Sequence, residues 1–247
     1  MNLFRTVRSG LSTTVVLAVL LVSLASCGGE SEPEPAPDVD LGALLSSTGE
    51  NLAAMSTITF NMVDEMESGA KFFGTTFKSL EAEVEAPDSF KMVVDVEAPG
   101  FGFVEIEMMA VGEEAFLKLS KDAPWNALPL DQVPFNFAGL GFTLRDLLDN
   151  IQDEATVAGR ESIQNTETIL VEAELTSDEL QSLITSADPG LEVALTLWIS
   201  EAEQTLQQIR IAGQVYIDDD PETVRLLSIT SIDVPVDIQI PDLGSGS

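Results

Sequence analysis

Between residues 41 and 55 the apolar positions fall at Leu41, Leu44, Leu45, Leu52 and Met55, a spacing that predicts a helix. From there the period drops to two. Ile58, Phe60 and Met62 alternate with Thr57, Thr59 and Asn61; Leu80, Ala82 and Val84 alternate with Glu81, Glu83 and Glu85. Met92, Val94 and Val96 oppose Lys91, Asp95 and Glu97, and Val104, Ile106 and Met108 oppose Glu105 and Glu107. Strands with acids on one side and apolar groups on the other belong to an antiparallel sheet with one wet face. Ala86-Pro87-Asp88 and Ala98-Pro99-Gly100 read as turns, and Gly112-Glu113-Glu114 as a hairpin turn into a strand at 116–119.

The middle of the chain breaks this rhythm. Pro124, Pro129 and Pro134 oppose regular structure, yet Phe135, Phe137, Leu140 and Phe142 keep the stretch apolar, so it is expected to lie over the sheet as a covering loop. Thr143 and Asp146 resemble a capping box opening a helix to Ile151, with Leu144, Leu147 and Leu148 on one stripe. A hairpin follows over 156–163 and 168–175, with its turn at Gln164-Asn165-Thr166. Thr176 and Glu179 cap a short helix carrying Leu180, Leu183 and Ile184.

Leu191, Val193, Leu195, Leu197 and Ile199 mark a further strand, and Ile209, Ile211, Val215 and Ile217 another. Asp218-Asp219-Asp220-Pro221 reads as a solvated turn into a strand at 224–234, and Val236, Ile238 and Ile240 as a closing strand. About ten strands and about three helices joined by tight turns predict a meander. No polar or Pro/Gly seam divides 41–243, so this stretch is read as a single domain. Ten strands at ~4.8 Å make a sheet roughly 45 Å wide, which twists and curls. Three helices cover only roughly 30 Å of it. The fold class is therefore mainly β with a few helices (α+β), and either loops finish covering the apolar face or a groove remains.

Charge narrows the functions. The 247 residues hold 42 Asp and Glu against 11 Lys and Arg, a net charge of −31. Nucleic acid is excluded as a partner, because phosphate contacts need clustered cations. With no His in the chain, His-based triads, zinc sites and pH switches are absent. No Gly-x-Ser-x-Gly elbow and no phosphate-binding glycine loop appears. Asp218, Asp219 and Asp220 lack the spacing and glycine of an EF-hand, so no metal is expected there. Met108 and Met109 face opposite sides of a strand, which suits core filling rather than copper. Trp125 and Trp198 are read as packing residues. No cofactor is expected, and no enzyme.

The single cysteine has a specific context. Arg5 and Arg8 precede an unbroken apolar run at 15–22, too short to span a membrane, and Leu24-Ala25-Ser26-Cys27 follows. These features resemble a bacterial lipoprotein signal: residues 1–26 are removed, and Cys27 takes a diacylglycerol and becomes the first residue of the mature chain. Residues 28–40 are acid and proline with almost nothing apolar, so 27–40 reads as a lipidated, disordered tether reaching up to ~40 Å. The expected location is the cell membrane, lipid-anchored on its extracytoplasmic face.

Ala123-Pro124-Trp125, Leu197-Trp198-Ile199 and Pro235-Val236-Asp237-Ile238-Gln239-Ile240-Pro241, set behind a lipobox and tether, resemble the LppX/LprAFG lipoproteins over about residues 41–241. The resemblance implies a strongly curved antiparallel half-barrel, similar to the LolA/LolB carriers, with helices on its concave face enclosing an apolar cavity. It implies a ligand that is an acylated lipid or glycolipid, carried within the envelope, and it admits a membrane transporter as partner. Alternation, and not the resemblance, supplies the candidate cavity residues: Phe60, Met62, Val94, Val96, Val104, Ile106, Met108, Ile169, Val171, Leu195, Leu197, Ile209 and Ile211. Two other readings stand beside the carrier: a non-transport sensor or interaction lipoprotein, and a carboxylate-based hydrolase.

Overall fold

The structure, a computed structural model, describes residues 38–243 except Phe73 and Pro134. The signal segment, Cys27 and most of the tether lie outside the described residues. Helix α1 (Leu41–Ala54) opens where the Asp40 side chain accepts the Ala43 amide hydrogen at 3.0 Å. Seven strands follow: β1 (Thr57–Asp64), β2 (Lys71–Phe72), β3 (Thr75–Glu85), β4 (Ser89–Ala98), β5 (Gly102–Val111), β6 (Glu114–Lys118) and β7 (Asn126–Leu128). Helix α2 (Leu140–Asn150) leads into β8 (Thr156–Ile163), β9 (Thr166–Thr176), β10 (Glu192–Ser200), β11 (Leu206–Gly213) and β12 (Val224–Ile232).

The strands form one antiparallel sheet in the order β7-β6-β5-β4-β3-β1-β12-β11-β10-β9-β8, with β2 added beside β3. It is two meanders joined by β1, which pairs with β3 on one side and β12 on the other. The outer strands β7 and β8 do not meet, so the sheet is a curved half-barrel and not a closed barrel. Register carries the apolar alternation straight across it. Val171, Leu197, Ile209, Leu227, Met62, Leu80, Val94 and Ile106 are successive partners from β9 to β5. One such row spans both meanders, which is why a single apolar core fills the concave face.

Several local expectations are corrected. Helix α2 starts at Leu140, not Thr143: Gly139 takes φ 65° before the first turn, so Thr143 lies inside the helix and caps nothing. The proline-rich stretch holds a short strand after all, because β7 pairs with β6 through Ala115–Leu128 and Leu117–Asn126. Strand β11 stops at Gly213, where φ is 115°, so Val215 and Ile217 leave the sheet and Ile217 is exposed. Residues 234–243 form no strand, although Ile238 is buried. Phe142 is exposed rather than packed on the sheet. The helix foreseen after Thr176 is a single 3-10 turn, Ser177–Leu180, in which Glu179 accepts the Thr176 amide hydrogen at 2.7 Å.

Candidate functional site

The concave face of the sheet is roofed by three pieces of chain. The first is the loop carrying Phe135 and Phe137, the second is α2, and the third is the segment after β9. Loop and segment are tied to each other: Phe135 and Ile184 form a bridge, and the Asn136 amide donates to the Leu183 carbonyl at 3.0 Å. An aromatic ladder joins roof to sheet. Phe135 stacks on Phe72 (5.8 Å between ring centres) and on Phe137 (5.5 Å), and Phe137 meets Phe90 edge-on at 5.0 Å and Phe60 at 5.8 Å. The Gly139 amide donates to the Pro87 carbonyl at 2.8 Å, pinning the start of α2 to the β3–β4 turn.

Between roof and sheet lies an apolar cavity of about 50 Å³. Its floor is Ile58, Phe60 and Met62 of β1, Leu80 of β3, Leu195 of β10, Ile209 and Ile211 of β11, and Leu227 and Ile229 of β12. Its roof is Phe135 and Phe137, Leu140, Leu144 and Leu147 of α2, and Leu180, Leu183 and Ile184. Among these residues stands one charged group, Arg225. Small-molecule sites typically enclose ~300–1,000 Å³, so the interior is nearly filled in this state.

Of the thirteen candidate residues, Phe60, Met62, Leu195, Ile209 and Ile211 border this cavity. Val94, Val96, Ile106 and Met108 are buried on the β4–β5 side of the same core, and Ile169, Val171 and Leu197 on the β9–β10 side. Val104 is half-buried at the core's margin. Cys27 lies outside the described residues. The two tryptophans stand away from the cavity lining: Trp198 donates from Nε1 to Glu161 at 2.8 Å, and the Lys118 ammonium lies 5.7 Å from the Trp125 ring centre.

One end of the cavity is polar. Arg225 pairs with Asp219, its Nη2 lying 2.8 and 2.9 Å from the two carboxylate oxygens. Both side chains are buried, 4% and 0% exposed, which corrects the reading of Asp218-Asp219-Asp220 as a wholly solvated turn. The Asp219 carboxylate also accepts backbone hydrogens from Lys71 (2.7 Å), Val215 (2.9 Å) and Tyr216 (3.0 Å). Asp64 lies in register with Arg225 but is satisfied elsewhere, accepting from Gly69 at 2.9 Å, Ala70 at 3.0 Å and the Ser68 hydroxyl at 3.2 Å. Burial opposes its charge, but these hydrogen bonds outweigh burial and hold the Asp64 carboxyl below the usual carboxylate range. Burial pushes the Tyr216 phenol above its ordinary range.

This end was legible only in part. Arg225, Leu227 and Ile229 share one face of a strand by alternation, which places a cation on the apolar side. The pairing of Arg225 with Asp219 follows from the turn at 214–223 folding back, which no periodicity encodes.

Two solved structures share this architecture. The crystal structure of LprF from Mycobacterium bovis superposes with a TM-score of 0.60 at 15% identity, covering 85% of this chain and 100% of that one. The Mycobacterium tuberculosis lipoprotein LppX gives 0.51 at 15% identity, with 82% and 100% covered. The chain has the LprF/LppX fold. No family model matches the sequence, and no curated protein does. At 15% identity the likeness to LprF and LppX extends to the fold alone.

Proposed function

We propose that this chain is an envelope lipoprotein that binds acylated lipids or glycolipids between its sheet and roof and carries them within the envelope. The observation that supports it best is the lining of the cavity: floor and roof are apolar throughout, with one guanidinium at one end. The LprF/LppX fold supports the same reading. Anchoring through a diacylated Cys27 belongs to this proposal, as does a membrane transporter as donor or acceptor. No catalytic step is required of the protein.

A volume of about 50 Å³ does not hold an acyl chain, so binding there requires the roof to rise. Each buried methylene contributes ~0.8 kcal/mol, so a long chain offsets the roof-to-sheet packing it displaces. The same small volume favours one second reading, a sensor or interaction lipoprotein whose core stays shut.

Native mass spectrometry of the mature protein, purified from a bacterial host without detergent, separates the two. Adducts in the mass range of acylated lipids are expected. A spectrum of bare protein, unchanged after incubation with envelope lipid extract, overturns the carrier and leaves the closed module.

A further inference from the structure

Strand alternation forces Arg225 onto the inward face, in register with Ile211 on one side and Asp64 on the other. Asp219 engages this guanidinium through a single nitrogen, Nη2, and its own oxygens are otherwise occupied by three backbone amides. The carboxylate is saturated and does not reach the second terminal nitrogen. Nη1 is buried and has no hydrogen-bond partner among the described residues. Leaving a charged donor buried and unbonded is costlier than leaving a neutral one, and most such groups in folded proteins are matched.

Arg225 borders the apolar cavity and also a smaller void of about 10 Å³ beside Tyr216 and Lys71. Met62, Phe135 and Ile184 border both spaces as well, so Arg225 stands where the two adjoin. Phe135 and Ile184 are the bridged pair of the roof, the part that must move for a chain to enter. A ligand that lifts this pair meets an apolar trough ending in one unsatisfied donor.

Resting on the lipid-binding reading, we propose that Arg225 is the polar anchor of the ligand. Its Nη1 donates to an uncharged oxygen acceptor, the ester carbonyl of an acylated lipid whose chains lie along the apolar rows. The charge of the acceptor follows from the pair. Arg225 and Asp219 together are neutral, and the cavity's other lining residues carry no charge. A free carboxylate would bury an uncompensated negative charge there, in a chain whose net charge is already −31. The Tyr216 ring centre, 5.5 Å from the guanidinium carbon, already presents an aromatic group to the cation.

The test uses the mature protein, delipidated and titrated with dioleoylglycerol or with oleate. Binding is followed by native mass spectrometry and by the guanidinium resonances of ¹⁵N-arginine-labelled protein, whose mature chain holds four arginines, Arg145, Arg160, Arg210 and Arg225. Dioleoylglycerol is expected to bind more tightly than oleate and to shift the Arg225 signals. Arg225→Lys keeps a cation for Asp219 but has no second terminal nitrogen, and is expected to weaken dioleoylglycerol at least about ten-fold with its melting midpoint near the parent's. The resonance experiment needs no variant and decides the matter if Arg225→Lys does not fold. Dioleoylglycerol bound with Arg225 unshifted, or bound by Arg225→Lys as by the parent, overturns the anchor and leaves lipid binding standing. Oleate bound as tightly as the ester overturns the uncharged acceptor. No binding of either lipid by the parent overturns the lipid reading and the anchor together.

Discussion

Gly141 of α2 lies directly against the backbone carbonyl of Leu52 in α1, and a Cβ at that position would overlap the carbonyl. One turn further along, a Cβ on Gly49 of α1 would stand 2.8 Å from the Arg145 side chain. The two glycines let the helices approach closely, which sets Leu140, Leu144 and Leu147 at the height where they roof the cavity.

Gly141→Ala is therefore expected to destabilise by about 1–3 kcal/mol, although alanine is the better helix former. Backbone does not yield as a flexible side chain does, so α2 must shift outward. Gly159→Ala is the control, because nothing among the described residues lies within 4 Å of its would-be Cβ. Thermal melts of the two variants check this: a midpoint for Gly141→Ala equal to that of Gly159→Ala means the helices slide apart without cost.

Bulk added at two candidate residues should separate cavity from core. Ile209 borders the cavity and Ile106 does not. Ile106→Trp is expected to cost about 1–3 kcal/mol while leaving lipid adducts in place. Ile209→Trp is expected to cost less, since the void takes up part of the added volume, and to abolish the adducts. Equal destabilisation with equal adducts would show that the cavity has no part in binding.

Asp64 gives a pH dependence with a fixed sign. Its folded pKa lies below the ordinary value near ~3.9, so its hydrogen bonds add stability that is fully present above that value. The contribution fades as the pH falls through the lower, folded value. Asp64→Asn lacks it, so the stability gap between parent and variant is expected to be widest near neutrality and to close below pH ~4. Urea titrations from pH 3 to 7 measure the gap; a constant difference would show that charge is not what the Ala70 and Gly69 amides recognise.

The anchor assignment concerns a residue outside the described part of the chain. Expressed in a bacterial host, Cys27→Ala is expected to leave the membrane fraction that the parent occupies. Retention of the variant in washed membranes after carbonate treatment would rule out acylation of Cys27 as the attachment.

Alternation was enough to place the long strands on either side of β1, though not β7, nor the end of β11, because side chains on a strand point to opposite faces whatever the sheet around them. It also put Phe60, Met62, Leu195, Ile209 and Ile211 on the face that holds the cavity. Within the break at 124–142, Phe135 and Phe137 were legible as cover, since apolar residues without period still need burial, whereas Phe142 stays exposed and 126–128 joins the sheet. What alternation does not carry is distance along the sheet. Val94 and Ile209 occupy one cross-strand row, yet only Ile209 borders the cavity. That difference arises from where α2 and the bridged loops settle, and their position is fixed by backbone contacts such as Gly141 with Leu52. The polar end is likewise a product of folding: Arg225 and Asp219 are six residues apart in the chain, but a guanidinium on a strand meets a carboxylate on a turn only after Gly213 bends the backbone out of the sheet. Local sequence fixes which face a residue takes, because that depends on neighbouring torsions; which faces meet depends on chain closure over long separations, and there the tertiary contacts decide.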